Sequence, residues 1–161
     1  PHRTSSALCF LRIRANSMRA LALDVGDARI GLAISDPRGV VCLPIEALVR
    51  SKESDDLAAV VDLAKREGAE TIVVGLPLSL DGTHGPAARQ MRRFTSSLRK
   101  LADIPVESYD ERFTTTEAEN RLRAAGYEPS RNRARLDSMA AVIILESFLA
   151  ARANRTNRSS K

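Results

Sequence analysis

Residues 19–35, RALALDVGDARIGLAIS, hold two apolar runs separated only by GDA. Each run has the β-branched and leucine-rich character of a strand, and the glycine and aspartate between them suit a tight hairpin. A turn at DPRG then leads into GVVCLPIEAL (39–48), a third strand in which Pro44 points to an irregular or edge position. The chain therefore begins as an antiparallel run, and whatever follows has to build on that sheet.

From residue 52 the period changes. Leu57, Val60, Val61 and Ala64 recur at helical spacing, with Ser54 as candidate cap, Asp55 and Asp56 in the first turn, and Gly68 as the stop. TIVVGLPL (71–78) is a compact buried strand. Met91, Phe94, Leu98 and Leu101 form the apolar stripe of a second helix that opens near Pro86. IPVESYDERF (104–113) is a further strand and TTTEAENRLRAAG (114–126) a third helix. A long last helix carries Leu136, Met139, Ala140, Ile143 and Phe148 on one stripe. The order β-β-β-α-β-α-β-α-α predicts an α/β fold, a mixed sheet with helices on both faces.

The 161 residues suffice for one domain with a real core. No apolar run approaches the roughly 20 residues needed to span a bilayer. Net charge is +5, but Arg3, Arg12 and Arg14 near the start and Arg152, Arg155, Arg158 and Lys161 at the end account for it. Without these seven, 18 basic residues face 20 acidic ones, so the bias belongs to the tails and argues only weakly for a polyanion ligand. Residues 1–17 lack acids and an initial methionine and read as a disordered or non-native leader before Met18. Residues 18–150 read as the folded domain and 151–161 as a disordered basic tail. Cys9 and Cys42 fit no metal or redox spacing, and the cytoplasm is the expected compartment.

The informative residues are carboxylates. Asp24 interrupts an apolar strand, Asp110 and Glu111 end another where α/β sheets present ligand-binding groups, and Asp137 lies on the edge of the last helix's apolar stripe. Singly, each has an ordinary reading: Asp24 bonded to the following loop amides, Asp110 and Glu111 solvated or capping, Asp137 paired with Arg133 or Arg135. Together, two strands and a packed helix could bring three acids to one place. Convergent carboxylates stay ionised only beside a cation, and oxygen ligands without a His or Cys cluster suit Mg²⁺ or Mn²⁺. Two such ions about 4 Å apart can drive phosphodiester hydrolysis. Arg29 and Arg112 lie near these acids and can contact a substrate phosphate or pair with an acid instead. GLPLSLDGTHG, with His84, lacks the lysine of a P-loop and reads as a connecting loop as readily as a phosphate site. Aromatic residues make up only 4% of the chain, which argues against base-stacking platforms.

Four stretches, LDVGDARIGLAISD, VVGLPLSLDGTHG, DERFTT and RLDSMAAVIIL, come in the order and spacing of the YqgF (RuvX) family, which this chain resembles over roughly residues 18–150. These are pre-16S rRNA nucleases similar to the RuvC Holliday-junction resolvases. The resemblance implies an RNase H-like fold with five strands, the first three antiparallel. It implies Asp24, Glu111 and Asp137 as the catalytic, metal-binding set, with Asp110 as alternate for Glu111, and Mg²⁺ or Mn²⁺ as cofactor. Arg29 and Arg112 become substrate-binding candidates. The expected reaction leaves a 5′-phosphate with no covalent intermediate. RNA is the favoured substrate, in processing of the pre-16S rRNA 5′ end, and structured DNA the alternative. The resolvases commonly place two acids on the last helix, whereas only Asp137 is evident here. The related resolvases act as dimers, which makes a homodimer an expectation. Two further readings are a non-catalytic RNA-binding maturation factor and an ATP-binding protein of the actin and Hsp70 group, whose phosphate loops also begin with a D-x-G hairpin.

Overall fold

Leucines and alanines alternate along the first strand, and this asymmetry sets the layers of the molecule. The computed structural model describes residues 17–77, 85–111 and 114–158. Strand β1 (Ala20–Val25) pairs antiparallel with β2 (Arg29–Ser35), and β2 antiparallel with β3 (Cys42–Val49). On its other side β1 runs parallel to β4 (Thr71–Pro77), and β4 parallel to β5 (Val106–Glu111). The sheet order is β3-β2-β1-β4-β5. This is the five-stranded mixed sheet that the sequence predicts. Helices α1 (Glu53–Arg66), α2 (Pro86–Leu101), α3 (Thr114–Ala124) and α4 (Arg133–Arg158) complete the fold, with a short 3₁₀ turn at Pro129–Arg131.

Leu21, Leu23, Ile30, Leu32, Ile72 and Val74 cover one face of the sheet and pack against Val60 of α1 and Phe94 and Leu98 of α2. The opposite face of the central strands is built from the small residues Ala20, Ala22 and Ala33, and α4 lies on it through Val142, Ile144, Leu145 and Phe148. Small residues under a helix let its backbone come close, and the large side chains of the helix then fill the layer. A second side of α4 (Leu136, Ala140 and Ile143) meets Ala118 and Leu122 of α3. Burial on two sides explains why AAVIIL is a continuous apolar run and not a narrow stripe.

Strand β3 is the sheet edge that Pro44 predicts. Its pairing with β2 jumps from Ile30↔Leu48 to Leu32↔Ile45, so Glu46 and Ala47 together oppose Gly31, a β-bulge. The turn before it uses Gly39 at φ 66°, and the Asp36 carboxylate accepts the Val40 and Val41 amides at 2.7 and 3.0 Å.

Two expectations need correction. Helix α4 runs on through Arg158, so residues 151–158 are helical, not an irregular tail. Ala151 and Ala153 favour helix, Arg155 and Arg158 suit the negative end of its dipole, and the Thr156 hydroxyl donates to the Arg152 carbonyl at 3.2 Å. Ser54 does not cap α1, whose cap position is Lys52 without a side-chain bond. Asp56 works there instead, accepting the Ser51 amide at 3.0 Å. Of the leader expected at 1–17, all but Ser17 lies outside the described residues.

Candidate metal centre

Alternation along β1 carries Ala20 and Ala22 to the α4 face, and Asp24 follows them to the same face at the strand's C-terminal end. Its partner across the β1–β2 ladder is Gly31. A Cβ at Gly31 would overlap the Asp137 carbonyl, so the backbone of α4 rests directly on β2 at this glycine. That contact seats Asp137 one strand away from Asp24, on the same face. The two acids therefore converge. Sequence reasoning singles out both carboxylates and passes over Gly31, although an isolated glycine inside a strand is a known signal of close backbone approach.

The electrostatics register the convergence. Burial, and after it the charge of Asp137, pushes the Asp24 carboxyl up to about 6. Asp137 is also raised by burial, while the charges of Arg29 and Arg133 pull it the other way. Arg29, the first residue of β2, shares the strand parity of Gly31. The site is thus two half-buried carboxylates, of which Asp137 feels two guanidinium groups. Oxygen donors of this kind, poorly solvated and mutually repelling, fit a hard divalent cation.

The remaining sequence candidates divide clearly. In β5, Tyr109 packs edge-on against Phe148 of α4, with centroids 5.9 Å apart. Val106 belongs to the opposite core, so Asp110, with its parity, is on the face away from Asp24. Glu111 ends β5 with the parity of Tyr109, and its side chain lies outside the described residues. Arg112 and His84, with most of the GLPLSLDGTHG loop, lie outside them too. Among the described residues no group of three His, Cys, Asp or Glu side chains is assembled to hold a metal.

Sequence reasoning misses Arg50. Its guanidinium donates to the Gly26 carbonyl at 3.0 Å and to Asp56 at 3.0 Å, and lies 5.8 Å from the Phe94 ring centroid. Its amide donates to the Ala28 carbonyl at 2.9 Å. One side chain thereby ties the β1–β2 hairpin, which carries Asp24, to both α1 and α2. Burial alone would raise Asp56, but the Ser51 amide and the Arg50 guanidinium hold it below the usual carboxylate range. Nothing local in the sequence marks Arg50, because its partners come from three other segments.

Comparison with known proteins bears on the family and the fold. Residues 18–151 match the RuvX family, described as Holliday junction resolvase. A protein named "Putative pre-16S rRNA nuclease" from Anaeromyxobacter dehalogenans (strain 2CP-1 / ATCC BAA-258) is 43% identical over 136 residues, 84% of this chain and 99% of that one. A relative of the same name from Chloroflexus aurantiacus (strain ATCC 29366 / DSM 635 / J-10-fl) is 40% identical over 144 residues, 89% of this chain and 94% of that one. Among solved structures, Thermus thermophilus RuvC in complex with a Holliday junction substrate is similar at a TM-score of 0.56 and 17% identity, covering 85% of this chain and 96% of the other. At that identity the likeness establishes the fold. No described helix is long and apolar enough to cross a membrane.

Proposed function

The chain belongs to the RuvX family, and from that premise we propose that it is a nuclease hydrolysing phosphodiester bonds of RNA, in maturation of the pre-16S rRNA 5′ end, with Asp24, Glu111 and Asp137 holding Mg²⁺ or Mn²⁺. The observation that carries this reading is the pairing of Asp24 with Asp137 over Gly31. The parity that Glu111 shares with Tyr109 favours it over Asp110 as third ligand. When bound, the cation supplies the Lewis acidity that activates water and offsets charge on the phosphate.

The chain's own groups do the rest. Asp24 and Asp137 provide anionic oxygens that a cation keeps ionised. Arg29 and Arg133, already within electrostatic range of Asp137, neutralise and orient the phosphate, and Arg112 follows the third ligand in sequence with the same chemistry. Water adds to phosphorus and one P–O bond breaks, leaving a 5′-phosphate and a 3′-hydroxyl.

The test is cleavage of an end-labelled RNA spanning the 16S 5′ leader, with a four-way DNA junction in parallel. Cleavage is expected in Mg²⁺ or Mn²⁺ and absent in EDTA, with Asp24→Asn and Asp137→Asn each lowering the rate on the order of 100-fold or more. Preferential cutting of the junction would overturn the RNA assignment. RNA binding without any metal-dependent cleavage would overturn the enzyme and leave a maturation factor.

A further inference from the structure

A cavity of about 530 Å³ opens between the β3 edge, the end of α3 and the first turns of α4, and its wall includes Ser138, the residue after Asp137. The bulge builds one wall. Glu46 and Ala47 both line the cavity, and one residue of a bulge is left out of the ladder, so its backbone groups face outward. The Ser138 hydroxyl donates to the Ile45 carbonyl at 2.7 Å, which fixes this wall to the residue that follows Asp137. The other wall holds Tyr127, 39% exposed, with the Arg135 guanidinium 4.4 Å from its ring centroid. Leu122, Ala125 and Met139 close an apolar floor.

Flat guanidinium and phenol surfaces over an apolar floor, with polar backbone at one side, form a stacking platform for a planar heterocycle. The volume lies within the range of small-molecule pockets, about 300–1,000 Å³. Arg131 at the end of the 3₁₀ turn and Arg133 and Arg135 in the first turn of α4, all exposed, supply cations for the phosphates on either side. We propose that this cavity receives an unpaired nucleobase of the same RNA strand that is cleaved at Asp24 and Asp137. The proposal rests on the nuclease reading, and it makes the enzyme selective for single-stranded over duplex RNA, since a paired base is stacked and out of reach. It departs from the expectation from composition. Few aromatics suffice when one exposed tyrosine is backed by an arginine at the right place.

The test uses the full-length Asp24→Asn chain in EDTA, so that binding is read apart from cleavage. Probes are a 12-nucleotide single-stranded RNA, a base-free phosphodiester strand of the same length, and the RNA in duplex form, all followed by fluorescence anisotropy. The single strand is expected to bind about ten-fold more tightly than the base-free strand. Tyr127→Ala should abolish that preference and Tyr127→Phe, which keeps the ring, should retain it. Equal binding of the two strands, or a preference that Tyr127→Ala leaves intact, overturns the base pocket. Cleavage by the wild-type chain in Mn²⁺ is scored separately. If it persists in that case, the nuclease reading stands without the pocket. A Tyr127-dependent preference in a chain that never cleaves keeps the pocket and overturns the nuclease.

Discussion

Asp24 works against the stability of the fold in the absence of a cation, and this fixes its response to pH. Its carboxyl titrates at about 6 in the folded chain against the usual 3.8. Between those values the folded state holds a proton that the unfolded chain has released. Stability therefore falls as pH rises from about 4 through about 6. Below that window both states are protonated and the group is neutral in its effect. Above it the full penalty remains, up to about 3 kcal/mol for a shift of this size. Asp24→Asn is isosteric and removes it. In EDTA at pH 7.5 the variant should melt above the wild type, and near pH 4 the two should coincide. Mn²⁺ should raise the melting temperature of the wild type and leave the variant nearly unmoved. Equal melting at pH 7.5 would show that burial and Asp137 exert no such strain.

Strand β2 and helix α4 meet at Gly31, and the position of Asp137 depends on that contact. A methyl group there collides with the Asp137 carbonyl, which belongs to helix backbone and cannot swing aside as a side chain would. Gly31→Ala should therefore lift the start of α4 off the sheet, at a cost of about 1–3 kcal/mol in denaturant unfolding. Cleavage should fall further than the folded fraction does, because the two carboxylates separate. A variant that unfolds early yet cleaves normally once folded would detach Gly31 from the site. The same glycine marks how far the sequence can be read. Asp24 and Asp137 are legible because each is anomalous locally, an acid in an apolar strand and an acid at the edge of an apolar stripe. The hairpin and the α/β alternation are legible because their periods are short. The packing of a helix on one glycine, the tie from Arg50 to Gly26 and Asp56, and the Tyr127–Arg135 stack all join segments distant in the chain, and no local pattern encodes them. The continuation of α4 to Arg158 is hidden for another reason. Its apolar stripe ends before the helix does, and the last turns rest on propensity and charge.

Charge over the whole molecule is distributed so that net basicity says little about substrate. Helix α4 has 26 residues and extends about 39 Å, with Arg133 beside Asp137 at one end and Arg152 and Arg158 toward the other. At physiological ionic strength exposed charges are screened over about 8 Å, so the far end of the helix exerts almost no field at the carboxylates. The +5 of the chain comes from its termini, and the body that holds the site is slightly acidic. Substrate affinity should then depend on the few arginines around Asp137. Replacing Arg29 and Arg133 by glutamine should weaken binding of single-stranded RNA and flatten its salt dependence, by about 0.7 in the log–log slope for each phosphate no longer neutralised. Arg152→Gln with Arg158→Gln should leave the cleavage rate within about two-fold, because those residues lie beyond several screening lengths. Titrations between 50 and 200 mM salt separate the two pairs. If the distal pair governs affinity and slope, the RNA runs along the length of α4, and the charge that matters is the tail's after all.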